Sequence, residues 1–99
     1  MANDVIKEIN KLKTKNFLEY IFLENEFKNW LLRRYSEVYT EKTVRDVRRF
    51  YKEYKKIPSK KQIDDLYIPT ITSRALSIYR TALRRYHDFL KDEFNFKIE

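Results

Sequence analysis

Apolar residues recur at helical intervals along most of the chain. Between Asn3 and Lys13, Val5, Ile9 and Leu12 share one face behind an Asn or Asp cap, which predicts a short amphipathic helix. From Phe17 to Tyr35 the chain is apolar on most sides, interrupted only by Glu24, Asn25 and Glu26, and the pattern predicts a central helix bent at that polar middle. Ser36 to Tyr39 reads as a connector. Thr40 is placed to cap a second helix that continues until Pro58 stops it. Ser59 with Gln62 forms a capping-box pair opening a short helix before Pro69, and Thr72 or Ser73 caps a long last helix to about Glu93. The closing FNFKIE is β-prone and reads as a tail or linker.

The second and last helices share a pattern. VRRFYKEYKK from Val47 falls on LRRYHDFLKD from Leu83, with an aliphatic residue, two arginines and an aromatic in the same order. At about 100° per residue, Val44, Val47, Phe50, Tyr51, Tyr54 and Ile57 form one arc of the second helix. Lys42, Arg45, Arg48, Arg49, Lys52, Lys55 and Lys56 fill the opposite arc. In the last helix Ala75, Leu76, Ile78, Tyr79, Ala82, Leu83, Tyr86, Phe89 and Leu90 oppose Arg74, Ser77, Arg80, Thr81, Arg84, Arg85 and Lys91. Each helix has an apolar side and a basic side.

Composition narrows the class. The chain has 99 residues, enough for one core, and is 42% hydrophobic, which is too apolar for disorder. Glycine is absent, so the tight turns at positive φ that most β-hairpins and every Gly-rich phosphate loop require fall to Asn or Asp, which argues for helices. The expected fold is all-α, a compact bundle of four to five helices without a sheet. Residues 1–15 form an N-terminal extension, 16–93 the helical core, and 94–99 a tail or the start of an interdomain linker. Cysteine is absent, which removes disulfides, thiolate metal sites and a cysteine nucleophile. No run is long and apolar enough for a signal peptide or a membrane span, so the expected location is cytoplasmic.

The net charge of +7 is unevenly placed. Residues 40–57 carry seven bases and three acids and residues 70–91 five and one, so each helix holds +4 and the remainder of the chain −1. An ordinary solvated surface mixes both signs. Basic stripes with interspersed hydroxyls suit phosphate instead, because Lys and Arg displace counterions and Ser and Thr donate hydrogen bonds to phosphate oxygens. The expected DNA-facing set is Lys42, Thr43, Arg45, Arg48, Arg49, Lys52 and Lys56 on the second helix. On the last it is Arg74, Ser77, Arg80, Thr81, Arg84 and Lys91.

The stretch FKNWLLRRYSEVYTEKTVRDVRRFYKEYK, a short capped helix, and then TSRALSIYRTALRRYHDFL resemble the N-terminal core-binding (SAM-like) domain of tyrosine recombinases and phage integrases, over about three quarters of the chain. Thr40, Thr43 and Val44 fit that family's start of a second helix, and Leu83, Arg84, Tyr86, Phe89 and Leu90 fit its last. The resemblance implies a bundle that packs on one side of double-stranded DNA, with these two helices across the major groove and backbone. It further implies a role in DNA integration or recombination for a viral or mobile element, on nucleoid or host-cell DNA, beside a C-terminal catalytic domain or other recombinase subunits, or as a standalone relative.

Catalytic chemistry finds no constellation here. Tyr51, Tyr54, Tyr79 and Tyr86 lie on apolar arcs and read as core residues with a polar tip, and His87, the single histidine, reads as a surface residue at the edge of the basic arc. Asp64 and Asp65 are neighbours that point to different sides of a helix, and no metal or cofactor is implied. Two further readings stand beside DNA binding. A helical protein-interaction module could present the basic stripe to an acidic partner, which exposed Phe94 and Phe96, or an incompletely covered Phe17 to Tyr35 helix, would favour. Basic amphipathic helices could also lie on anionic membrane, but arcs this rich in aromatic and branched residues suit a shared core, and no membrane partner is expected.

Overall fold

The computed structural model describes residues 17–98, an all-α bundle with no strand among the described residues. A single 3-10 turn, Phe17–Tyr20, precedes four helices: α1 (Glu24–Leu32), α2 (Glu37–Tyr54), α3 (Lys60–Asp64) and α4 (Ser73–Phe94). The amphipathic piece expected from Asn3 to Lys13 lies outside the described residues. The spine is α4, against which α1, α2 and α3 all pack.

The expected central helix from Phe17 to Tyr35 is two pieces separated by non-helical backbone at Ile21, Phe22 and Leu23. One continuous helix would present apolar residues on every side, and the break lets Leu18, Phe22 and Phe27 turn toward the same core. No side chain of α1's own sequence caps it at Leu23. Tyr86 of α4 does that work, its buried hydroxyl accepting from the Leu23 N–H (2.9 Å) and donating to the Ile21 carbonyl (3.4 Å). Burial also raises the Tyr86 pKa well above that of a free phenol, so the hydroxyl keeps its proton. The 3-10 turn is held to α2 by the Tyr51 hydroxyl on the Tyr20 carbonyl (2.8 Å), and to the segment after α2 by the Ile57 N–H on the Glu19 carbonyl (2.6 Å).

The cap of α2 is Ser36, whose Oγ accepts from the Tyr39 N–H (3.2 Å). Thr40, expected in that role, is instead fully buried one turn inside the helix, and its hydroxyl has no hydrogen-bond partner among the described residues. The helix ends at Tyr54, before Pro58, with Lys55 in the left-handed region at φ 58°. The expected capping box is present at Ser59 and Gln62, and Thr72 rather than Ser73 caps α4 by accepting from the Ala75 N–H (3.1 Å). Asn95 ends α4 at φ 49°, the kind of residue that takes a left-handed cap where glycine is absent.

The core unites the apolar arcs expected of α2 and α4, with Val44, Val47, Phe50, Leu83, Tyr86, Phe89 and Leu90 all buried. Ile78 departs from its arc and is 54% exposed. The FNFKIE segment does not leave the bundle as a free tail: Phe94 and Phe96 pack against the core and Ile98 is only 4% exposed. At the other end, the Trp30 Nε1–H and an Arg34 guanidinium N–H both donate to one Asp92 oxygen at 2.8 Å, fastening α1 to the end of α4.

Two substitutions with opposite signs test this account by denaturant unfolding. Tyr86→Phe should lose about 1–3 kcal/mol by stranding the Leu23 N–H, and Thr40→Val should gain about 1 kcal/mol by removing a buried hydroxyl that makes no bond.

Candidate nucleic-acid interface

Helices α2 and α4 run antiparallel. At one end Arg85 Nε donates to the Tyr39 hydroxyl (3.4 Å), and at the other an Arg49 guanidinium N–H donates to the Tyr79 hydroxyl (3.3 Å) while stacking over its ring at 5.4 Å. Along this pairing the two helices border an open groove of about 470 Å³. Lys42 and Arg45 enter it from α2, and Ser77 and Thr81 from α4. Four of the residues expected to face DNA are thus brought together from two helices. Thr43 belongs to the groove wall but is only 4% exposed, so its hydroxyl is not offered to a ligand as expected.

Asp46 also lines the groove and is 8% exposed. Burial raises its pKa against the opposing pull of Arg45, Arg49 and Lys42. The nearest of these, Arg45 Nε, stands 4.0 Å away, at the limit of an ion pair. The groove is therefore basic at its rim and holds one weakly compensated carboxylate.

Three arginines of the expected set reach across to neighbouring elements and join them. Arg48 Nε meets Glu24 of α1 at 2.6 Å, a bond that raises the arginine's pKa and lowers the carboxylate's. An Arg84 guanidinium N–H meets Asp64 of α3 at 3.0 Å. Arg80 donates to the Leu66 carbonyl at 2.6 Å, its Nε buried without a partner. Each had looked solvent-directed on its own helix, because the partner element that covers it is invisible in a single-helix projection. Lys52 and Arg74 are exposed and Lys56 half-buried, and none of the three has an ion pair among the described residues. They lie outside the groove.

Lys91 and Arg84 sit instead in a second cleft of about 420 Å³, where α3, α4 and the C-terminal segment meet. Lys60, Arg85 and Lys97 join them there. Lys60 and Lys97 were missed, since one opens a five-residue helix and the other lies in the expected tail, where no periodicity assigns a face. Their unbalanced charge was the only available signal.

His87 is not at the surface. It is largely buried between α4 and Pro58, with Nε2 2.7 Å from the Pro58 carbonyl, an acceptor that requires the N–H form there. Burial lowers its pKa below the ordinary histidine value, outweighing that bond and the nearby Asp88. Among the described residues no three His, Asp or Glu side chains gather as a metal site, and no helix is long and apolar enough to cross a membrane.

Two outcomes follow for folding stability. Because the unfolded chain protonates His87 before the folded one does, stability should fall as pH drops through about 6.5, and His87→Gln should flatten that part of a thermal-melt pH series. Arg80→Gln should cost about 1–3 kcal/mol in urea unfolding by stranding the Leu66 carbonyl, whereas the exposed Arg45→Gln should stay within about 0.5 kcal/mol of the parent.

Compared with protein-family models, with curated proteins and with solved structures, the chain matches none.

Proposed function

We propose that this chain binds double-stranded DNA through the α2–α4 groove. The observation that carries the reading is the convergence of Lys42, Arg45, Ser77 and Thr81 on one open groove, since two cations and two hydroxyls placed together are a phosphate-contacting set. Neither cation is consumed by a close carboxylate, unlike Arg48 and Arg84. The integrase-like sequence pattern suggests the setting, a non-catalytic core-binding domain acting in DNA integration or recombination beside a catalytic domain, or a standalone relative of one. An acidic protein partner is the less favoured reading, because Phe94 and Phe96 are packed on the core and, of the large apolar residues described between Leu18 and Tyr35, Tyr20 and Leu32 alone are exposed.

The test is a titration of a labelled duplex at several salt concentrations. The logarithm of the affinity should fall linearly with the logarithm of salt, with a slope of about −0.9 for each phosphate neutralised. Lys42→Glu with Arg45→Glu should weaken binding at least tenfold, while Lys28→Glu, outside the groove, should change it less than about threefold. Asp46→Asn should tighten binding by about two- to threefold by removing one negative charge from the groove. Absence of binding at low salt would overturn the proposal.

A further inference from the structure

The cleft between α3, α4 and the C-terminal segment is a second basic concavity that DNA binding through the α2–α4 groove does not require. Lys60, Lys91 and Lys97 rim it with no ion pair among the described residues, and Arg84, though joined to Asp64, keeps its side chain 55% exposed. The single acid in its lining is Asp88. Its floor is apolar, formed by Ile63, Phe96 and Ile98. A concavity of one charge sign over low-dielectric walls concentrates its field on whatever enters, and an anion is the ligand that this field favours.

The placement of the two concavities says which anion. Both border α4 and share Thr81. Their α4 residues centre near Tyr79 and Tyr86 respectively, and at ~100° per residue the two sets point from the helix roughly a third of a turn apart, so the concavities lie on different flanks of α4. The major groove of B-DNA is ~12 Å wide and admits one α-helix between its two phosphate backbones. The half-buried Thr81 lies where the two concavities meet, and Arg84 lines the second.

We propose that the second cleft binds the phosphodiester backbone of the opposite strand, so that one domain grips both walls of a single major groove with α4 across it. This rests on the α2–α4 groove being the first DNA contact. It assigns a binding role to Lys60 and Lys97, and it gives the packed C-terminal segment a function, since Ile98 holds Lys97 at the cleft.

The experiment uses the intact chain and its double variant Lys60→Gln/Lys97→Gln, whose changes fall on exposed side chains and whose fold is checked by thermal melt. Each protein is titrated against duplexes carrying uncharged methylphosphonate linkages at single positions, over a salt series. The parent should be sensitive to neutralised phosphates in two clusters, one on each strand flanking a major groove. The variant should lose one cluster and keep the other, with a salt slope shallower by about 1.8. A variant with the parent's slope and both clusters, or a parent sensitive on one strand only, overturns the second site while leaving DNA binding intact. Poly-glutamate binding that depends on Lys60 and Lys97, with duplex binding indifferent to them, overturns it in favour of an acidic protein partner. Failure of the parent to bind any duplex at low salt overturns both readings together.

Discussion

The buried side chain of Tyr86 is the contact on which the rest of the bundle depends. Its ring meets Phe22, Phe27 and Phe89 at centroid distances of 5.4, 4.9 and 5.3 Å, within the range where tilted and edge-on aromatic pairs add to simple burial. Its hydroxyl supplies both a donor and an acceptor where the chain breaks between the 3-10 turn and α1. Without that polar tip, Leu23 would begin a helix with an N–H facing an apolar core, a costly arrangement for a backbone donor. The break directs α1 onto α4, and α1 in turn presents Glu24 to Arg48 of α2 and Trp30 to Asp92 of α4.

The positive charge of the molecule is divided between two tasks. Where a base finds a carboxylate or carbonyl on a neighbouring element it joins elements, as Arg48, Arg80 and Arg84 do. Where no close partner stands opposite among the described residues, as for Lys42 and Arg45 at the α2–α4 groove and Lys60, Lys91 and Lys97 at the cleft beside α3, the charge faces outward. Exposed ion pairs contribute little each, so the joining contacts matter more for orientation than for stability. Arg80 is the exception, because it satisfies a backbone carbonyl that folding would otherwise strand.

Much of this was legible from residue order. The capping pair Ser59 and Gln62, the cap at Thr72 and most of the core arcs of α2 and α4 follow from local chemistry that acts within one turn of a helix. The misreadings have a common cause. Thr40 and Ser36 are both good caps, and which one serves depends on where α1 releases the chain; the helix start at Glu37 leaves Thr40 inside. Ile78 lies on the apolar arc of α4 but lines the open groove beside α2, where no described residue covers it. His87 looks peripheral on a helical wheel until the Pro58 segment closes over it.

Taken alone, the amino-acid sequence determined the all-α class, the long helices α2 and α4 with their apolar and basic sides, and the excess of positive charge on those two helices. These rest on periodicity, capping and composition, which are properties of a few consecutive residues. Tertiary structure decided which bases stay free, which hydroxyls reach a groove, where the Phe17–Tyr35 stretch breaks, and that Lys60 and Lys97 belong to a common cleft with Lys91. Those outcomes depend on which element lies opposite a given side chain, and pairings between residues twenty to sixty positions apart leave no periodic trace in the chain itself.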